Sequence, residues 1–193
     1  MGIHRSLITA VTALLLVLPA GVAMAQDESP GPGSAAALAN SAFADIFPTE
    51  VAGLPWDELE VKVGAEHIND QDAEESAEIM AILAELDATI DDITTVTASR
   101  INEDFTEFTF MIAFRVAGAD AARLLEATLP TTTENLEQPR FETGEVAGKD
   151  VTMIYDDASP DSAPIYLYAG DDTVWLVLSR TESAAIEALD VLP

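Results

Sequence analysis

The sequence predicts an α+β fold in which an antiparallel sheet carries helices packed on one face. Apolar and polar residues alternate along 105–116, which is the period of a strand. Gly170-Asp171-Asp172 separates two apolar runs and is typical of a hairpin turn between antiparallel strands. Apolar residues also recur at helical spacing, at Ile79, Leu83, Leu86 and Ile90. Strands joined by tight turns, with separate helical segments, favour this class.

Each further element has its own signal. Alternating or continuous apolar runs predict strands over 59–63, 93–101, 105–116, 141–146, 150–155, 164–169 and 173–180. The clearest helix is predicted over 70–87 and the last over 181–192. A short helix is predicted from Ala121 to Leu129, with Asp120 as its N-cap and Pro130 as its end.

A weak internal repeat suggests how these elements are organised. Glu50-Val51-Ala52-Gly53 recurs as Glu145-Val146-Ala147-Gly148, and a strand is predicted after each. Two tandem strand-strand-helix repeats would give an antiparallel sheet with its helices on one face, and a chance match in an alanine-rich chain is the alternative. Helices on opposite faces of the sheet would argue against the repeat.

The first 25 residues have the features of a signal peptide. Arg5 provides a positive start, 7–18 is an apolar run, and Ala23-Met24-Ala25 offers small side chains to a peptidase. The run is shorter than the ~20 residues of a spanning helix. We therefore expect cleavage after Ala25 and a secreted, extracytoplasmic product, with a retained anchor as the alternative. Residues 26–42 are predicted to be a flexible linker and 43–193 a single domain, with repeat halves at 43–130 and 140–193.

The chain is strongly acidic and contains no cysteine. Its 35 acidic residues against 8 Lys and Arg give a net charge of −27. This charge repels phosphate backbones, so nucleic acid is not an expected partner. No second apolar run of spanning length follows the first, so no membrane span is expected after signal cleavage. Salt adaptation, calcium binding and solubility each explain the acidity. The absence of cysteine excludes disulfides, thiol catalysis and Cys-ligated metals.

Two groups of residues are candidate sites. One apolar face of the strand at 105–116 would line a cavity for an apolar ligand such as a lipid, with Phe108, Phe110, Ile112 and Phe114 as the contacts. The loop from Asp156 to Asp161 offers Asp156, Asp157 and Asp161 as oxygen ligands, for which calcium is the suitable metal. A solvated turn is the simpler interpretation of this loop, and no other cofactor is predicted.

Three other residues are of types that often have a function, one histidine and two tryptophans. His67 is the only histidine after the signal segment, and without a companion ligand or a nucleophile motif it reads as a surface loop residue. Trp56 follows Gly53-Leu54-Pro55 and is the more plausible exposed aromatic, which would suit sugar stacking. Trp175 lies between Val174 and Leu176 in a predicted strand and is expected in the core.

The tail of the chain resembles small exported bacterial proteins of unassigned function. The resemblance rests on 150–155, on 165–175 and on a closing alanine-rich helix that ends at Leu192-Pro193. It covers the domain loosely, and that family has no functional residues to transfer. It implies an exported protein and no particular chemistry.

Three functions stay open at this point. The first is a non-enzymatic extracytoplasmic domain that binds a protein or small ligand, because no nucleophile set, metal motif or phosphate loop is present in the sequence. The second is a carrier of an apolar ligand in a sheet–helix cavity. The third is a secreted hydrolase, which would require His67 beside a serine or aspartate.

Overall fold

The computed structural model describes residues 32–69, 73–102 and 107–193. It confirms the α+β class: helices pack against a seven-stranded antiparallel sheet, and a two-stranded hairpin stands beside it. In chain order the elements are α1 (Pro32–Ala39), β1 (Glu50–Val51), β2 (Leu54–Pro55), β3 (Glu58–Val63), α2 (Glu66–Asn69), α3 (Ala73–Glu85), β4 (Ile93–Ile101), β5 (Phe108–Val116), α4 (Ala121–Thr133), β6 (Pro139–Val146), β7 (Lys149–Asp156), β8 (Ile165–Gly170), β9 (Thr173–Ser179) and α5 (Glu182–Asp190).

The strands follow the order β3-β4-β5-β9-β8-β7-β6. β5 and β9 lie at the centre, where Ile112 pairs with Leu176. Tight hairpins join β6 to β7 and β8 to β9, and the second is the predicted turn at Asp171-Asp172. The first half of the chain therefore forms one side of the sheet and the second half forms the other.

Both faces of the central strands of the sheet are buried. On the α4 face, α3 and α4 cover one core, which includes Ile79, Leu83, Ile112, Phe114, Leu124, Ile154, Leu167 and Leu176. On the α5 face, α1, the segment 43–47 and α5 cover another, which includes Leu38, Phe43, Phe47, Met111, Ala113, Trp175, Val177 and Leu189. Both cores are apolar and solvent-excluded, which is the main source of stability in a chain without disulfides.

This arrangement differs from the single helical face expected from the sequence. The expectation followed from the phenylalanines on one face of β5, and of these Phe114 does pack in the core that α3 and α4 cover. The other face of the same strand carries Met111 and Ala113, both fully buried. A strand that is apolar on both faces has to be covered on both faces, so the helices divide into two layers.

The structure does not support the tandem repeat. Two neighbouring antiparallel strands are exchanged by a twofold rotation about an axis perpendicular to the sheet, and this rotation keeps each face of the sheet on its own side. Duplicated halves would therefore place α4 and α5 on the same face. They lie on opposite faces. The two four-residue matches nevertheless form the same turn, with positive φ at Ala52 (55°) and Gly53 (71°) and at Ala147 (52°) and Gly148 (74°).

Both ends of α4 carry hydrogen bonds between side chains and nearby main-chain groups. Asp120 is the N-cap of α4 as predicted, and its Oδ1 accepts from the N–H groups of Ala122 and Arg123 at 3.0 and 3.1 Å. Pro130 does not end the helix, which continues to Thr133. Threonine hydroxyls in these last turns donate to main-chain carbonyls four residues earlier, at Thr128, Thr132 and Thr133.

The ordered domain begins before the predicted boundary at Phe43. Residues 32–39, assigned to the linker by their composition, form α1, and Leu38 is buried in the core of the α5 face. Phe43 and Phe47 follow and contact Trp175 with ring centroids 6.2 and 5.8 Å away. The signal segment, 26–31 and Asp70 lie outside the described residues.

Candidate functional site

The two edge strands of the sheet, β3 and β6, differ in how the chain covers their outer sides. At β3 the chain supplies partners from its own next turn: Glu66 Oε2 accepts from the Val63 N–H at 2.9 Å, and α1 packs against the strand. β6 has β7 on one side and, among the residues that the structure describes, no strand on the other. Edge strands present unpaired peptide groups and are natural places for another chain to add.

The hairpin turn determines which peptide groups of β6 point outward. Ala147 and Gly148 both have positive φ, which is a type I′ turn, so the Lys149 N–H donates to the Val146 carbonyl. In an antiparallel pair, hydrogen-bonded and non-bonded pairs alternate from that point. Gly144 and Glu142 therefore bond to β7, whereas the N–H and C=O groups of Phe141, Thr143 and Glu145 point to the open edge.

β6 is also the most exposed strand of the sheet. Most of its residues are exposed and none is buried, whereas β9 is buried along most of its length. Phe141 is 49% exposed on the α4 face, opposite Ile154, which is buried at 1%. An exposed aromatic side chain thus lies at the rim of the apolar core beside the unpaired backbone. We call β6 with its outward groups and Phe141 the β6 edge.

The opposite face of this hairpin carries a compact polar cluster around Arg140. Its Nε donates to Asp157 Oδ1 at 2.9 Å, its Nη1 pairs with Glu142, and its guanidinium lies 4.5 Å from the centre of the Tyr155 ring. The hydrogen bond with Asp157 raises the pKa of Arg140 above its ordinary value. Arg140 is thus held by neighbours of its own chain.

The segment around the β6 edge is acidic. Residues 134–157 contain seven acidic residues and two basic ones, Arg140 and Lys149. Lys149 Nζ lies 5.6 Å from the centre of the Tyr168 ring, so both basic side chains have partners. Glu145 is directly opposite Asp150 in the register of the hairpin. Two like charges placed across a strand pair repel each other.

The four residues proposed for an apolar ligand separate into two pairs. Ile112 and Phe114 are buried at 2% and 3% in the core that α3 and α4 cover. Phe108 and Phe110 are half-buried at the start of β5, with their rings 5.6 Å apart. A groove of about 380 Å³ lies elsewhere, between α1 and β3, lined by residues that include Ala37, Val61 and Glu66. Helices thus occupy the part of this face around Ile112 and Phe114.

The loop proposed for calcium uses its carboxylates within the chain. Asp156 Oδ1 accepts from the N–H groups of Gln138 and Ala158 at 3.0 and 3.1 Å, which ties the loop to the start of β6. Asp157 binds Arg140, and Asp161 is exposed. In the described part of the chain, no three His, Asp or Glu side chains are placed to hold a metal ion. The geometry favours the solvated-turn interpretation.

His67 is not the surface residue that the sequence suggested. It lies on α2, is 5% exposed, and its Nε2 is 3.1 Å from the Lys62 carbonyl oxygen. Because a carbonyl only accepts, Nε2 carries the proton. Burial lowers the pKa of His67 to about 4. The neutral ring thus joins α2 to β3.

The tryptophans are both core residues. Trp175 is fully buried, as expected. Trp56 is 1% exposed and its Nε1 donates to the Pro48 carbonyl at 2.8 Å, so the expected exposed aromatic is a buried one. The sequence does contain a signal for Phe141 as the exposed aromatic, because charged and small residues flank it on both faces of the strand, from Arg140 to Glu145.

No helix among residues 32–69, 73–102 and 107–193 has the length and apolar character needed to cross a membrane. Comparisons of the chain with protein-family models, with curated proteins and with solved structures give no match.

Proposed function

We propose that this chain is an exported, non-enzymatic interaction domain that binds an extended segment of a partner polypeptide along the β6 edge. In this mode the partner adds a strand to the sheet. Main-chain hydrogen bonds provide affinity, and side chains on alternate positions provide specificity. The signal peptide predicted for residues 1–25 supports an encounter outside the cytoplasm.

The single observation that carries the proposal is the contrast between the two edges. The first turn after β3 reaches back to bind a peptide group of that edge, and α1 packs against it. The β6 edge presents outward peptide groups at Phe141, Thr143 and Glu145 beside an exposed phenylalanine. A chain that protects one edge and leaves the other accessible has a surface suited to strand addition.

The energies are adequate for a specific but reversible complex. Each main-chain hydrogen bond contributes about 0.5–1.5 kcal/mol net. Covering the exposed half of Phe141 adds about 1–2 kcal/mol. The hairpin is already formed, so β6 pays little ordering cost on binding.

The two alternative functions have less support from the geometry. A carrier would need the apolar face of β5, but Ile112 and Phe114 pack directly into the core beneath α3 and α4. A hydrolase would need His67 as a base, but that ring is buried and its Nε2 is used by the Lys62 carbonyl. The β6 edge requires no rearrangement of either core.

The proposal is tested with a proline at an outward position. Thr143→Pro removes an outward N–H without removing a bond to β7, and Thr143→Val is the matched control because it keeps the N–H. The probes are three peptides of about ten residues that alternate valine with lysine, glutamine or glutamate. We expect at least one peptide to bind the natural protein and the valine variant, and to lose roughly tenfold or more in affinity with the proline variant.

Circular dichroism first establishes that both variants are folded. Should Thr143→Pro fail to fold, Phe141→Ser replaces it, with Phe141→Tyr as its control. Absence of binding by all three peptides would overturn the proposed function. Equal binding of a peptide to the proline and valine variants would mean that the peptide binds elsewhere on the protein. That result would overturn the proposed function too.

A further inference from the structure

We propose that the partner segment at the β6 edge is cationic, an extended polypeptide with Lys or Arg at alternate positions; this rests on the proposed function. The backbone of an edge strand accepts any sequence, so the side chains around it must select the partner. On this protein most of the charged side chains around that edge are acidic, and their arrangement indicates the class of partner.

The tip of the β6–β7 hairpin carries two acidic side chains that face each other. Glu145 and Asp150 are directly opposite in the register, and both are exposed. The adjacent basic residue, Lys149, lies against the Tyr168 ring on the α5 face. Glu145 and Asp150 are on the other face, the α4 face, so Lys149 does not pair with them. A partner strand beside β6 would place a cationic side chain within reach of both carboxylates and relieve their repulsion.

Along the rest of the β6 edge, the basic side chain is already held by its own chain. Arg140 is the basic residue of β6 itself, and Asp157, Glu142 and Tyr155 surround its guanidinium. An anionic partner would have to compete with those contacts. Exposed Glu137 adds a further negative charge just before the strand. The local potential therefore selects against acidic segments and for basic ones.

A second copy of the chain is the competing occupant. Each copy carries a net charge of −27, and the same acidic segment would face itself across the new interface. Like charges disfavour self-pairing.

The test compares the lysine, glutamine and glutamate peptides on the natural protein and two double variants. E145K/D150K reverses the charge at the tip of the hairpin. E187K/D190K makes the same charge change at exposed positions of α5, which packs against β9 and β5. We expect the lysine peptide to bind roughly tenfold or more tightly than the glutamine peptide, and the glutamate peptide to be weakest. We also expect E145K/D150K to lose most of that preference and E187K/D190K to keep it.

Raising the salt from about 50 mM to about 500 mM should weaken the lysine peptide roughly tenfold and leave the glutamine peptide nearly unchanged. Equal binding of all three peptides at the β6 edge would overturn the cationic partner and leave the proposed function intact. An equal loss in both double variants would overturn the role of Glu145 and Asp150. Self-association detected by sedimentation, abolished by Thr143→Pro, would replace the cationic segment with a second copy.

Discussion

The buried histidine makes the stability of this protein depend on pH. His67 has a pKa of about 4 in the folded protein because burial disfavours its charged form. In the unfolded chain its pKa is about 6.5. The folded state therefore binds fewer protons between these two values, and stability is complete above pH 6.5 and lost as the pH falls toward 4.

The size of the effect follows from the two pKa values. The full difference corresponds to about 3 kcal/mol, reached below both values. At a pH of about 5 the unfolded histidine is charged and the folded one is mostly neutral, which gives a loss of about 2 kcal/mol relative to a pH of about 7.5. A loss of this size is a large part of the stability of a small domain.

The assay is urea unfolding of the natural protein and of His67→Gln over that pH range. Glutamine does not titrate and its amide N–H can donate to the Lys62 carbonyl, so the difference between the two proteins isolates the histidine. We expect the stability of the natural protein relative to the variant to fall by about 2 kcal/mol between a pH of about 7.5 and about 5. A difference that is constant with pH would refute the reasoning, as would an NMR titration of His67 with a midpoint near 6.5.

Three other predictions concern stability and are measured by urea unfolding. Trp175→Ala should cost about 3–5 kcal/mol because the ring is fully buried against Phe43 and Phe47; a cost below about 1 kcal/mol would mean that this core is loosely packed. Ala147→Asn should stabilise by about 0.5 kcal/mol, since the φ of 52° suits asparagine better than alanine, and a loss would contradict the type I′ turn. Asp120→Ala should cost about 1 kcal/mol and Asp120→Asn much less, because asparagine keeps the cap; equal losses would argue against capping.

The strands and turns were accessible from the sequence because their signals are local. β4 spans Ile93–Ile101 as predicted, and the turn at Asp171-Asp172 was recognised from its residue types. The division of helices between two faces was missed because it depends on the non-local choice of which apolar face each helix covers. Local hints were Met111 and Ala113, between the polar Thr109 and Arg115, and the continuous apolar run from Val174 to Leu178.

The misplaced site residues have similar causes. Trp56 follows a turn sequence typical of the surface, but the Pro48 carbonyl accepts its N–H and allows it to be buried. His67 looks isolated in the sequence, yet the turn into α2 brings it to the Lys62 carbonyl. The β6 edge was not identified because openness is a property of strand order, which the sequence alone left undetermined. The signal peptide stays a prediction.

The most direct test of the open edge is amide hydrogen exchange of β6, resolved by residue. In the free protein we predict exchange near the intrinsic rate at Phe141, Thr143 and Glu145, and protection of Glu142 and Gly144 by roughly a hundredfold or more. Saturating lysine peptide should protect the first three residues. Protection of those residues before the peptide is added, or none after it is bound, would contradict strand addition at the β6 edge.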